Sequence, residues 1–161
     1  HLLTNIEYDL DDDMTLLELL LKGIQVLGCS DGGEIHTYGY YGWVVATATT
    51  EICRGRGTAY GGPTSSYRSE GYGCLAMMRF MYHYIKFFHN EPIDEVTFMS
   101  YCNNKTVLDN ETKLKTGKWQ WSPIWCARSN YNVLRQLELA QDDMPCHVTT
   151  DHVAGHQDDK V

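Results

Sequence analysis

Along residues 24–48 the chain alternates Val, Ile, Tyr, Trp and Thr with glycine punctuation, a pattern that predicts a β-hairpin. One position breaks it. In "VLGCSDGGEIHTYGYYGWVVA" (26–46), Asp31 interrupts an apolar strand, Gly32 and Gly33 follow, and the strand pattern resumes. A carboxylate set toward a core is costly unless something cationic meets it. "EICRGRGTAYGG" (51–62) reads as a third, shorter strand entering a glycine-rich turn, and the glycines around Arg54 and Arg56 suggest a hairpin tip.

The period then changes. In "YRSEGYGCLAMMRFMYHYIKFF" the apolar positions Cys74, Leu75, Met77, Met78, Met81, Tyr82 and Ile85 recur at helical spacing, with Ser65 or Ser66 as the N-cap. Its Met and aromatic stripe is read as core packing. "EVTFMSYC" (95–102) predicts a buried strand, 103–113 a second helix or turn, and "NYNVLRQLELAQ" (130–141) a third helix. "CHVTTDHVAG" (146–155) alternates as a last strand. At the front, "MTLLELLLKG" (14–23) is a short helix ended by Gly23 or an apolar segment docking on the body, after an arm or linker over 1–13. The domain proper is expected over 24–161, with 1–23 as an acidic arm.

Composition narrows the classes. The chain has 161 residues, 21% of them charged and 12% aromatic, the balance of one folded domain. It holds no apolar run long enough to span a membrane and no signal-peptide pattern, and its first residue, His1, suggests a piece of something longer. Six cysteines without a CxxC pair point to reduced thiols and an intracellular setting, cytoplasm or nucleus. The net charge of −8 is the wrong sign for a protein that simply coats nucleic acid. Residues 1–22 hold six acids against Lys22, a net of −5, which leaves −3 for the rest.

Three strands, a helix and a strand beside the first bring Asp31, Glu70 and the end of the fourth strand near Asn103 to one place. Strand ends and helix starts at such a switch form the usual site of an open α/β sheet. Carboxylates converging there suit a hard ion such as Mg²⁺, and two such ions suit displacement at phosphorus.

The motifs "SDGG…YGYYGWVV", "SSYRSEGYGCLAMMRF", "SYCNNKTV" and "HVAGHQDD" stand in the order and spacing of the type 1 ribonuclease H family. Over about 24–161 the chain resembles most the ribonuclease H domains attached to retrotransposon reverse transcriptases. The resemblance implies an α/β, RNase H-like fold. Its sheet would be mixed and five-stranded, three antiparallel strands followed by parallel ones, with helices on both faces. It also implies hydrolysis of the RNA strand of RNA/DNA hybrids with two Mg²⁺ ions, which Mn²⁺ can replace, and a reverse transcriptase domain of the same polyprotein as partner. Asp31 matches the aspartate that bridges both ions, Glu70 the glutamate heading the first long helix, and His156 the mobile histidine that helps product leave. Gly32, Gly33, Ser69, Asn104 and Lys105 flank the site as candidate substrate contacts. Lys113, Lys115 and Lys118, beside Trp119, fall where some members carry a basic handle that grips the hybrid, although a solvated loop has the same composition.

Two departures bear on activity. The third carboxylate of the family falls on Asn103 in "YCNNK", and the fourth, on a closing helix beyond His156, is not in the sequence. Four carboxylates balance the charge of two Mg²⁺ ions; Asp31 and Glu70 alone supply −2. An asparagine oxygen can ligate a hard cation but brings no charge, so metal affinity and cleavage should both fall. Asn103 either was introduced to trap uncleaved substrate or marks a decayed copy. Asp109 as a rescuing ligand, Asp158 and Asp159 as ion contacts, and the H-x3-H pair His152/His156 as a zinc site are the weaker alternatives. A non-catalytic module that binds hybrid, or packs on a polymerase domain, is the rival reading. A DDE-type integrase is disfavoured because Glu70 heads the first helix.

Overall fold

The computed structural model describes residues 2–9, 14–61, 64–116 and 130–153, without the side chains of residues 111, 114 and 115. Its strands are β1 (Ile6–Tyr8), β2 (Val26–Ile35), β3 (Tyr38–Ala46), β4 (Glu51–Ala59), β5 (Ile93–Cys102) and β6 (Cys146–His152). They lie side by side in the order β1-β4-β3-β2-β5-β6. The β2, β3 and β4 meander is antiparallel, whereas β5 runs parallel to both β2 and β6. The described helices are α1 (Thr15–Leu21), α2 (Ser66–Phe88), α3 (Lys105–Lys115) and α4 (Tyr131–Asp142).

The sheet has six strands rather than the expected five. The addition is β1, which pairs antiparallel with β4 so that Ile6 faces Gly55 and Tyr8 faces Cys53. Part of the acidic segment read as an arm is thus an edge strand, and Leu16, Leu17 and Leu20 of α1 join the core. The same pairing corrects Arg54 and Arg56, which lie within β4 and not at a hairpin tip. Both face Glu7 of β1, at 3.5 and 3.9 Å, with side chains more than half exposed. The glycine between them serves packing: a Cβ on Gly55 would collide with the Trp43 ring.

Helix α2 starts at Ser65, whose hydroxyl accepts the Arg68 amide at 3.1 Å and satisfies a first-turn donor. The stripe read as core is core except for Tyr82, which is half-buried outside it. Met77, Met78, Met81 and Ile85 are buried against Val26, Val45 and Phe98 of the sheet, each such side chain contributing about 1.5–3 kcal/mol. Helix α4 adds Val133, Leu134 and Leu137 to the buried set, and α3 adds Val107. Among the described residues α3 and α4 pack with α2, and α1 reaches β5 and the same core.

Register decides where the site falls. β2 pairs with β3 from Leu27 to Ile35, but with β5 only from Val26 to Ser30, which lies opposite Cys102. One step further, Asp31 and Asn103 stand side by side where β5 has ended and β2 continues. Close approach of α2 completes the corner, because a Cβ on Gly32 would run into the backbone of Ser69 and Glu70.

Candidate functional site

Asp31, Glu70 and Asn103 meet, as the motif order predicts. Asp31 is exposed on the strand face opposite the buried Ser30, so the carboxylate does not point into the core. Its Oδ1 accepts two hydrogen bonds, from the Gly32 amide at 2.8 Å and from Asn103 Nδ2 at 2.7 Å. The partner answering the aspartate is therefore neutral. An amide facing a carboxylate must present its NH₂, because an oxygen there would repel.

Glu70 sits behind this pair, only 3% exposed. Burial pushes its carboxyl up to about 8, helped by Cys102 and the Asp31 carboxylate and opposed by the Gly32 amide. At neutral pH most of it is protonated. Its Oε2 and the Asn103 Oδ1 are buried without a hydrogen-bond partner among the described residues. Unsatisfied buried oxygens at a strand end are unusual and mark a place built for a donor or an ion.

The site was tested against the pair of divalent ions that the resemblance implies. The donors are all oxygen, as Mg²⁺ prefers. The charge does not fit, however. Asn103 is neutral, and both in-plane lone pairs of Asp31 Oδ1 are taken by N–H donors. Among the described residues no three His, Cys, Asp or Glu side chains gather as a metal-binding group. Two ions bring four positive charges, and Asp31 and Glu70 together offer at most two negative charges to meet them.

The flanking candidates divide. Gly32 and Gly33 line the strand beside Asp31; the first takes the helix, and a Cβ on the second would meet the Tyr40 hydroxyl at 2.5 Å. Ser69 is fully buried under the hairpin, its hydroxyl without a partner among the described residues, and so presents no surface to a duplex. The Asn104 oxygen accepts the Val107 amide at 3.2 Å and caps α3. Lys105 is exposed one residue on, Lys113 is half-buried, and Asp109 is exposed on α3. Lys118, Trp119, His156, Asp158 and Asp159 lie outside the described residues, as does the side chain of Lys115.

One residue that spacing offers only as a zinc ligand belongs to the site. His152 ends β6 opposite Cys102, and its Nε2 lies 3.1 Å from the Asn103 carbonyl oxygen. The Val153 amide donates to the Cys102 carbonyl at 3.0 Å. Together these contacts carry the β5–β6 pairing past the end of the sheet and hold the backbone under Asn103. The parallel placement of the last strand beside the fourth was the available signal.

No family model matches the chain, and no curated protein matches it in sequence. Solved structures do match in fold. The N-terminal RNase H domain of a Mycobacterium tuberculosis protein, solved as a fusion with maltose-binding protein, superposes with a TM-score of 0.56 at 16% identity, over 86% of this chain and 88% of that one. LC11-RNase H1 in complex with an RNA/DNA hybrid gives 0.53 at 12% identity, over 85% and 91%. LC9-RNase H1, a type 1 RNase H with the type 2 active-site motif, gives 0.51 at 17%, over 83% and 64%. The mixed sheet with its helices is an RNase H-like fold.

Proposed function

We propose that this chain is an RNase H-type domain of the retrotransposon kind, which engages RNA/DNA hybrids and in this form hydrolyses their RNA strand weakly. The observation carrying the reading is the meeting of Asp31, Glu70 and Asn103 at the corner where β5 ends beside β2 and α2 begins. Support for the substrate comes from a fold neighbour solved with RNA/DNA hybrid. Lys105, exposed at the start of α3 two residues past Asn103, supplies phosphate-seeking charge beside the corner.

Weak hydrolysis follows from the amide. No carboxylate at 103 is present to draw in a cation, and a two-ion step is not assigned to the site as it stands. The test is a labelled RNA/DNA hybrid with Mg²⁺ or Mn²⁺, comparing this chain with Asn103→Asp. The carboxylate should raise cleavage on the order of 10²-fold, the scale of one electrostatic stabiliser. A folded Asn103→Asp protein that neither cuts hybrid nor prefers it to duplex DNA sinks the proposal.

A second reading shares the fold and drops the chemistry: a non-catalytic module that binds hybrid or packs against a reverse transcriptase domain. The neutral amide bound to Asp31 favours it. Hybrid affinity that survives Asp31→Ala and ignores Mg²⁺, with Asn103→Asp still inert, selects this reading over the first.

A further inference from the structure

Asp31 Oδ1 has two in-plane lone pairs, and both are used: one by the Gly32 amide, the other by Asn103 Nδ2. The first contact is local to β2. The second ties β2 to the residue after β5, at the point where the ladder between them has stopped at Ser30 and Cys102. Asn103 is itself held from behind. Its carbonyl oxygen is 3.1 Å from His152 Nε2, and the neighbouring Cys102 carbonyl accepts the Val153 amide. A continuous line of hydrogen bonds thus runs from β6 through Asn103 to Asp31. It joins three strands across a corner where carboxylates alone would repel one another and spread apart.

We propose that the Asn103 amide is a built-in substitute for the cation, so that this corner keeps its shape without divalent ions and gains little from them. The inference deepens the function proposed above, since it assigns the site an ion-independent state, yet it stands on the tether and not on the substrate. With aspartate at 103, two carboxylates would face each other at hydrogen-bonding distance. They would then need a cation between them or a shared proton.

Thermal unfolding in EDTA, Mg²⁺ and Mn²⁺ tests this on the whole chain. The melting point of the chain should move by no more than about 1 °C with either ion. Asn103→Asp should melt several degrees lower in EDTA and recover with Mn²⁺, about 2–4 °C for each kcal/mol restored. Asn103→Ala should melt lower in EDTA and show no recovery, because it loses the tether and adds no charge. Mn²⁺ binding by the unaltered chain, followed by electron paramagnetic resonance, needs no variant and should be weak. Tight Mn²⁺ binding by that chain, or an Asn103→Ala protein as stable in EDTA as the parent, overturns the proposal. Loss of hybrid binding in every protein, with the ion responses as described, would fell the functional reading and leave this one standing.

Discussion

Gly32 and Glu70 touch through their backbones: the strand passes the first turn of α2 so closely that any side-chain carbon at 32 would occupy the space of the Glu70 amide. This contact sets the buried carboxyl behind Asp31. Neither partner can give way, because the obstacle is main chain on both sides.

Gly32→Ala should therefore destabilise the fold by about 1–3 kcal/mol, as overpacking does. Gly42→Ala is the matched control, since its nearest neighbour, the Gly55 carbonyl oxygen, would stand at 3.8 Å; its effect should stay within about 0.5 kcal/mol. Urea midpoints of the two variants check the pair, and equal values would refute close contact at Gly32.

Glu70 makes stability depend on pH. Its carboxyl titrates near 8 in the fold and at the ordinary 4.5 when unfolded. Below the unfolded value the proton is held in both states and the full stability is present. Between the two values only the folded state keeps it, so stability falls as pH rises, by about 1.4 kcal/mol per pH unit, and levels off above the folded value. Glu70→Gln, neutral throughout, should flatten that slope. Urea unfolding in EDTA from about pH 5 to pH 9 measures it; parallel curves for the two proteins would contradict the buried acid.

Arg68 should not tolerate lysine. It is 4% exposed, and its guanidinium donates to the Tyr60 carbonyl from Nε and Nη2 at 2.9 and 2.6 Å and to Asn132 Oδ1 from Nη1 at 3.1 Å. The planar fork ties the end of β4 and the start of α4 to α2. An ammonium cannot reach both sides at once. Arg68→Lys is expected to cost about 2–3 kcal/mol, from charged hydrogen bonds lost and acceptors left buried. A variant as stable as the parent in urea would show that the fork is dispensable.

Thiol reactivity should be slow. Burial pushes Cys53 up to about 12 and Cys146 up to about 11, so almost no thiolate exists near neutral pH. Labelling of either cysteine by a disulfide reagent should track global unfolding, rising with denaturant across the same transition as the circular dichroism signal. Rapid labelling of Cys53 in the native protein would argue against its burial.

Much of the fold could be read from pattern alone. The meander, the long helix and its core stripe were legible because period two and period 3.6 alternate cleanly there, and Asp31, Glu70 and Asn103 came together because strand ends and helix starts converge. What escaped was local. β1 has three residues, too few for a period, and Glu7 within it looks like part of an acid run. Gly55 looked like a turn and is instead room for the Trp43 ring, since a missing side chain serves both purposes equally well. The capping of α3 by Asn104 depends on where that helix begins, which pattern did not fix. His152 reads from spacing only as half of a zinc pair, because its value lies in the register of β6 against β5.

The three-residue strand β1 has a consequence for solubility. Without it, β4 would form the rim of the sheet with a row of open amides and carbonyls, the template on which chains stack into fibrils. Ile6–Tyr8 occupies that row, the Asp9 and Arg56 amides extend the cover on either side, and Glu7 leaves a charge on the outer surface. A stranger's strand arriving there meets a short, acidic hem, so the leading segment acts as a guard against self-assembly as much as a part of the scaffold.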